Sequence, residues 1–209
     1  MADAENRVQW VYDAPDKDEL QRRYDIWAEE YDGDLERDFD WHGPSLASDY
    51  LDKYVPHSAL VMDAGAGTGL VGVELRKRGF DNVVGLDMSI GMLEEANKKG
   101  VYRKLDQMVL GERLNYPDGE FDAVISVGVL TLGHAPVHSL DEMIRITRRG
   151  GYIVFSLRPD VYLQYGFKEK QAELEASGKW KLAEVSPEVK LLPKGEPEVT
   201  HQVWVYRVK

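Results

Sequence analysis

The residues able to do chemistry stand at the ends of apolar runs. The run Leu60 to Met62 ends in Asp63, and Gly65, Gly67 and Gly69 then alternate. Glycines adopt backbone angles closed to other residues and let a ligand approach the main chain. The helix start that follows favours anionic or electron-rich groups. A second run, Asn82 to Leu86, ends in Asp87. A carboxylate at the end of a second strand is placed to accept hydrogen bonds from both ribose hydroxyls of a nucleoside. A third, Val101 to Leu105, ends in Asp106, with Gln107 and Met108 behind it. His134 stands in the loop after a fourth run, Phe121 to Val127, and Arg158 follows a fifth, Tyr152 to Leu157. His134 is the first titratable side chain of its loop that could act near a reacting group. Arg158 could bind a carboxylate or make a structural salt bridge. Upstream, Tyr24, Trp27, Ala28 and Tyr31 fall at helical spacing in one stripe, from which Tyr24 and Tyr31 could touch a ligand.

The spacing of the elements puts these groups at one edge. The chain predicts a loose arm over residues 1–15, a helix from Asp18 and a second helix over 44–54 that ends before Pro56. Behind the glycine turn, Leu70, Val71, Val73 and Leu75 predict a helix closed by Gly79. Ser89 caps another, which Gly100 ends. Leu140 to Ile146 and residues 160–176 read as further helices. Residues 180–192 and 199–208 alternate apolar and polar side chains and predict a long antiparallel hairpin. Loops after strands of an open α/β sheet emerge at its carboxyl edge, where such sheets bind ligands.

The glycine register decides between ligands. A dinucleotide fold wants Gly-x-Gly-x-x-Gly, but the sixth position counted from Gly65 is Leu70. No Gly-Lys-Ser/Thr follows the turn, so a Walker phosphate loop fails too. Asp63-x-Gly65-x-Gly67-x-Gly69 resembles the first motif of class I S-adenosylmethionine-dependent methyltransferases, and Asp87, Asp106, the strand at Phe121 and the Gly150-Gly151 turn follow in the family's order. The Tyr24-Asp-Ile-Trp-Ala28 and Val127-Gly-Val-Leu-Thr131 stretches are similar to the methyltransferase-like proteins of the Williams-Beuren syndrome region type. The resemblance implies an α/β fold: a three-layer α/β/α Rossmann-like sheet of seven strands, mostly parallel with an antiparallel last strand, plus an N-terminal helical lid. It implies one domain over 1–209, with arm and lid at 1–55 and a cofactor-binding core at 56–209. S-adenosyl-L-methionine is the expected cofactor and S-adenosyl-L-homocysteine the product. The loop Asp63, Gly65, Ala66, Gly67, Thr68 and Gly69 would hold its methionine end and Asp87 its ribose. Asp106 would take the adenine amino group, and Met88, Gln107, Met108 and Val127 would line the same pocket. Tyr24 and Tyr31 would cover the cleft, Tyr31, His134 and Arg158 would meet the acceptor, and His134 is the candidate catalytic group.

Composition bounds the remainder. The chain has 209 residues and no cysteine, which excludes disulfides, thiolate metal sites and a thiol nucleophile; no metal is expected. No apolar run reaches the length of a membrane helix and no signal core follows the N-terminus, so a cytoplasmic protein, monomeric or homodimeric, is expected. Residues 1–60 hold 16 acidic and 6 basic side chains, nearly all of the net charge of -11. That segment reads either as a solvated helical face or as an acidic lid that repels polyanions. With the Asn/Asp-Pro-Pro-Tyr signature absent after the fourth strand, the expected acceptor is a small molecule, attacked through oxygen, nitrogen or carbon, and not a nucleic acid. The alternatives are a catalytically silent cofactor-binding subunit and, disfavoured by the glycine register, an NAD-dependent oxidoreductase.

Overall fold

The computed structural model describes residues 4–131 and 133–209; residues 1–3 of the expected arm lie outside them. Short apolar runs give the strands β1 (Val61–Ala64), β2 (Val83–Asp87), β3 (Lys104–Gln107), β4 (Phe121–Ser126), β5 (Thr147–Leu157), β6 (Trp180–Val185) and β7 (Gln202–Val208). They form one sheet in the order β3-β2-β1-β4-β5-β7-β6, and only β7 runs antiparallel to its neighbours. All four residues of β1 are buried, as a central strand covered on both faces requires. The strand order reverses between β1 and β4, and the crevice of an open α/β sheet lies there.

The helices supply the outer layers. They are α1 (Ala4–Tyr12), α2 (Lys17–Asp34), α3 (Gly43–Asp52), α4 (Leu70–Lys77), α5 (Ile90–Lys99), α6 (Ser139–Ile146), α7 (Pro159–Gln164) and α8 (Phe167–Ala176), with a π-helical turn at Leu35–Phe39. Alternate strand residues feed two cores: Met62, Leu86 and Phe155 pack with Leu140 and Leu174, while Val61, Ile125 and Val205 pack with Leu51 and Leu75. Ser89 caps α5 by accepting from Met92 N at 3.1 Å, and Gly100 ends it at φ 63°.

Four elements depart from the sequence reading. Residues 4–12 of the expected loose arm are helical, because Val11 buries itself against Leu20 and Trp27 of α2. The helix expected over 160–176 breaks at Gly166 (φ 80°) into α7 and α8. Strand β3 begins at Lys104 instead of Val101, since Tyr102 turns its ring under the glycine loop instead of extending the ladder. The hairpin is shorter than expected, because beyond Val185 its two arms meet again only in the isolated bridge Val189↔His201.

The acidic N-terminal segment is partly internal wiring. From α2, Asp25 accepts from Ser89 Oγ and from Gly91 N (2.9 Å), at the start of α5. Asp32 accepts from Thr68 Oγ1 and pairs with Lys99 Nζ at 2.6 Å. Asp34 is buried, accepts from Trp27 Nε1 at 2.8 Å and pairs with Arg7 and Arg37. The expectation of a purely solvated or repelling acidic face is corrected for these three carboxylates.

Candidate active site

The glycine turn after β1 shapes the floor of the site. Gly65 sits at φ 92°, and a Cβ there would lie 2.3 Å from Val129 Cγ2. Gly67 sits at φ 52° with no atom within 4 Å of where its Cβ would be, so any side chain would reach into open space. Gly69 (φ 93°) starts α4 without a side-chain cap. Asp87, at the end of β2, ties this turn to the next helix: its Oδ2 accepts from Gly67 N at 2.8 Å and its Oδ1 from Ser89 N at 2.9 Å. Burial raises its pKa above the usual carboxylate value, against the amides of Ser89, Gly67 and Met88.

Asp63 lies behind the turn and is wholly buried. Its Oδ2 accepts from the Tyr102 hydroxyl at 2.6 Å, while its Oδ1 has no partner. Burial pushes this carboxyl up to about 7, with the Tyr102 bond opposing and the Asp87 charge adding to the rise.

Helix α2 roofs the crevice and encloses a cavity of ≈ 300 Å³, at the small end of the roughly 300–1,000 Å³ of ligand pockets. Its wall includes Gly65, Ala66, Gly67, Thr68, Asp87, Met88, Met108, Val127, Tyr24, Tyr31 and His134, which the sequence reading named. Tyr24 and Tyr31 line this cavity, and burial raises both phenol pKa values, with the neighbouring tyrosines and Asp87 adding to it. Both are therefore neutral at physiological pH. Tyr24 Oη is 2.7 Å from His134 Nε2, and Tyr12 of α1 sets its ring edge-on to the imidazole at 5.3 Å.

Other candidates stand away from the wall. Asp106 accepts from the Tyr116 hydroxyl at 2.5 Å and pairs with Lys104 at 2.8 Å, so its carboxylate is engaged by protein partners and does not line the cavity. The Gln107 side chain is exposed and donates to Met88 O at 3.0 Å. Arg158 grips Asp160 through two bonds, 3.0 and 2.7 Å, the salt bridge the sequence reading offered as an alternative to acceptor contact, and it does not line the cavity. Gly69 supports the loop from behind, against Tyr102 and Ala96. The cavity also draws on Lys17, Leu20, Trp41, Leu110 and Glu112, which the sequence reading did not name. Lys17 and Glu112 form an ion pair there. Trp41, isolated between helices in sequence, carried no periodicity to mark it; its contact with Gly128 exists only in the folded chain.

The open space at Gly67, beside the Asp87 carboxylate, is what the amino-acid end and ribose of a ligand would fill, whereas Asp63, expected with the loop, is buried behind it and does not line the cavity. A sheet of this order, with a glycine turn after β1 and a carboxylate closing β2, is the framework of class I S-adenosylmethionine-dependent methyltransferases. The chain belongs to that family, and its cofactor is S-adenosyl-L-methionine. A methyltransferase-domain family model matches residues 62–155. Human Methyltransferase-like protein 27 is 39% identical over 181 residues, covering 83% of this chain and 73% of its own length. A demethylmenaquinone methyltransferase of Beutenbergia cavernae is 41% identical over 115 residues, 51% of this chain and 46% of its own. Among solved structures, an S-adenosylmethionine-dependent methyltransferase of Thermotoga maritima superimposes with a TM-score of 0.65 at 20% identity, covering 89% of this chain and 98% of that one. Family membership sets aside the NAD-dependent oxidoreductase.

Proposed function

We propose that the chain methylates a small-molecule acceptor that enters beside Tyr24 and His134. The observation that carries this reading is the Tyr24–His134 pair, 2.7 Å apart in the wall of a cavity otherwise rich in Val, Leu, Met and aromatic side chains. The size of the cavity and the roof tied over it by Asp25 and Asp32 suit a small guest better than a folded polymer. The relationship to a demethylmenaquinone methyltransferase supports a small organic acceptor in the same way.

When bound, the cofactor supplies an electrophilic methyl group on a sulfonium. Asp87 would hold the ribose, and Gly65, Ala66, Gly67 and Thr68 would bound the methionine end. Helix α2 excludes water, and alignment of nucleophile with methyl is the main contribution the protein makes. Where the acceptor must lose a proton, a ring nitrogen of His134 takes it, with the neutral Tyr24 hydroxyl fixing the imidazole. The test is a metabolite screen read by formation of S-adenosyl-L-homocysteine, followed by single-turnover transfer in His134→Ala. That variant is expected to lose about 10²-fold or more in rate, the usual scale of acid–base help, while its cofactor affinity stays near the parent's. Turnover confined to protein acceptors would overturn the small-molecule assignment, and cofactor binding with no turnover on any acceptor would leave a silent subunit. An unimpaired rate in His134→Ala would leave alignment as the whole mechanism.

A further inference from the structure

Three glycines of the cofactor-binding region surround one tyrosine. A Cβ on Gly69 would lie 3.0 Å from Tyr102 Cε2, one on Gly72 2.4 Å from Cζ, and one on Gly85 3.1 Å from Cε1. These glycines come from the turn, from α4 and from β2, so the ring is lodged where three elements converge. Its hydroxyl donates to Asp63 Oδ2 at 2.6 Å and accepts from Gly72 N at 3.1 Å. Gly72 is the third residue of α4, whose N-cap, Gly69, has no side chain to satisfy the first-turn amides. A helix start normally draws that bond from a Ser, Thr, Asp or Asn at the cap itself. Here a phenol from the far side of β2 does so.

We propose that Tyr102 is a positioning residue for cofactor binding: its phenol serves as the missing cap of α4 and orients Asp63, holding the glycine loop in its binding form before the cofactor arrives. The proposal rests on the role of that loop in the family, and it gives Gly72 and Gly85 a purpose apart from ligand contact. The groups that face Asp63 are this phenol, from the segment before β3, and the Asp87 carboxylate, from the end of β2. Removing the hydroxyl leaves the carboxylate with no donor and makes its charged form harder to sustain, because buried charge without a partner is costly.

The experiment compares the parent with Tyr102→Phe, measuring S-adenosyl-L-homocysteine and S-adenosyl-L-methionine affinity by calorimetry between pH 6 and 9, with amide exchange on the ligand-free protein. Tyr102→Phe keeps the ring and its packing. The expected result is about tenfold weaker binding at pH 7, the scale of one lost bond to a charged group, with the step that Asp63 titration puts in the affinity–pH profile displaced to higher pH and the Gly72 amide unprotected. Gly72→Ala, whose methyl group must push the ring away, should weaken binding in the same direction. Parent-like affinity with an unmoved pH profile in Tyr102→Phe would reduce Tyr102 to a space filler. Fast exchange at Gly72 in the parent itself would overturn the capping role without any variant having to fold.

Discussion

Asp87 does two jobs with one carboxylate. It accepts two backbone amides that knit the glycine turn to α5, and each oxygen keeps a further lone pair for a ribose hydroxyl. Asp87→Ala should therefore cost about 2–4 kcal/mol of cofactor affinity, from charge-assisted bonds lost and amides left unpaired; calorimetry showing an unchanged dissociation constant would remove Asp87 from the site. Asp63 makes an opposite kind of statement, about pH and stability. Its folded pKa, about 7, stands above the ordinary 3.8. Between those values the folded chain binds a proton that the unfolded chain has released, so this residue's contribution to stability falls as pH rises from about 4 to 7 and is level above. Asp63→Asn removes that dependence, and its stability relative to the parent should climb by a few kcal/mol between pH 5 and 8. A difference that stays flat in denaturant titrations at the two pH values would show that Asp63 ionises normally.

At the scale of elements, α2 covers the cavity. The sequence reading treats it as a lid; in the structure Asp25 ties it to the start of α5, and Asp32 to Thr68 and Lys99 at the glycine turn. A roof pinned at two points opens by breaking charge-assisted bonds, so its motion is set by those contacts more than by the helix's own stability. Asp25→Ala frees Ser89 Oγ and Gly91 N and should speed hydrogen exchange across residues 17–34. Added S-adenosyl-L-homocysteine should slow exchange there in the parent. Equal exchange in the variant and the parent would mean that packing of Leu20 and Trp27 alone holds the helix.

Across the whole molecule, charge and layering act together. The first 60 residues carry 16 acidic against 6 basic side chains. With Asp25, Asp32 and Asp34 turned inward, the remainder still leaves the roof negative, and a polyanion approaching the cavity meets repulsion screened only beyond about 8–10 Å at physiological salt. No turnover is expected with tRNA or duplex DNA, and lowering the salt should not rescue it, in contrast to proteins that bind phosphates through cations. Methylation of either polymer that strengthens at low salt would overturn this. Among the described residues no helix is long and apolar enough to cross a membrane.

The local pattern was sufficient for much of this. The alternation of apolar runs with capped helices specified the α/β layering, and the positions of Asp63, the three glycines and Asp87 at strand ends followed from it, because side-chain periodicity and glycine backbone freedom are properties of a few neighbouring residues. Which carboxylates would face a cavity was not local. Asp106 and Arg158 have suitable types at suitable strand ends, yet Tyr116 and Asp160 engage them first. Trp41 and Tyr102 carry no motif, but the fold brings one against Gly128 and the other beneath three glycines. The same holds for the acidic segment, whose charge was plain to read while its inward bonds to Ser89 and Lys99 were not. Partners separated by tens of residues are chosen by how the layers pack, and that choice exists only once the sheet has assembled.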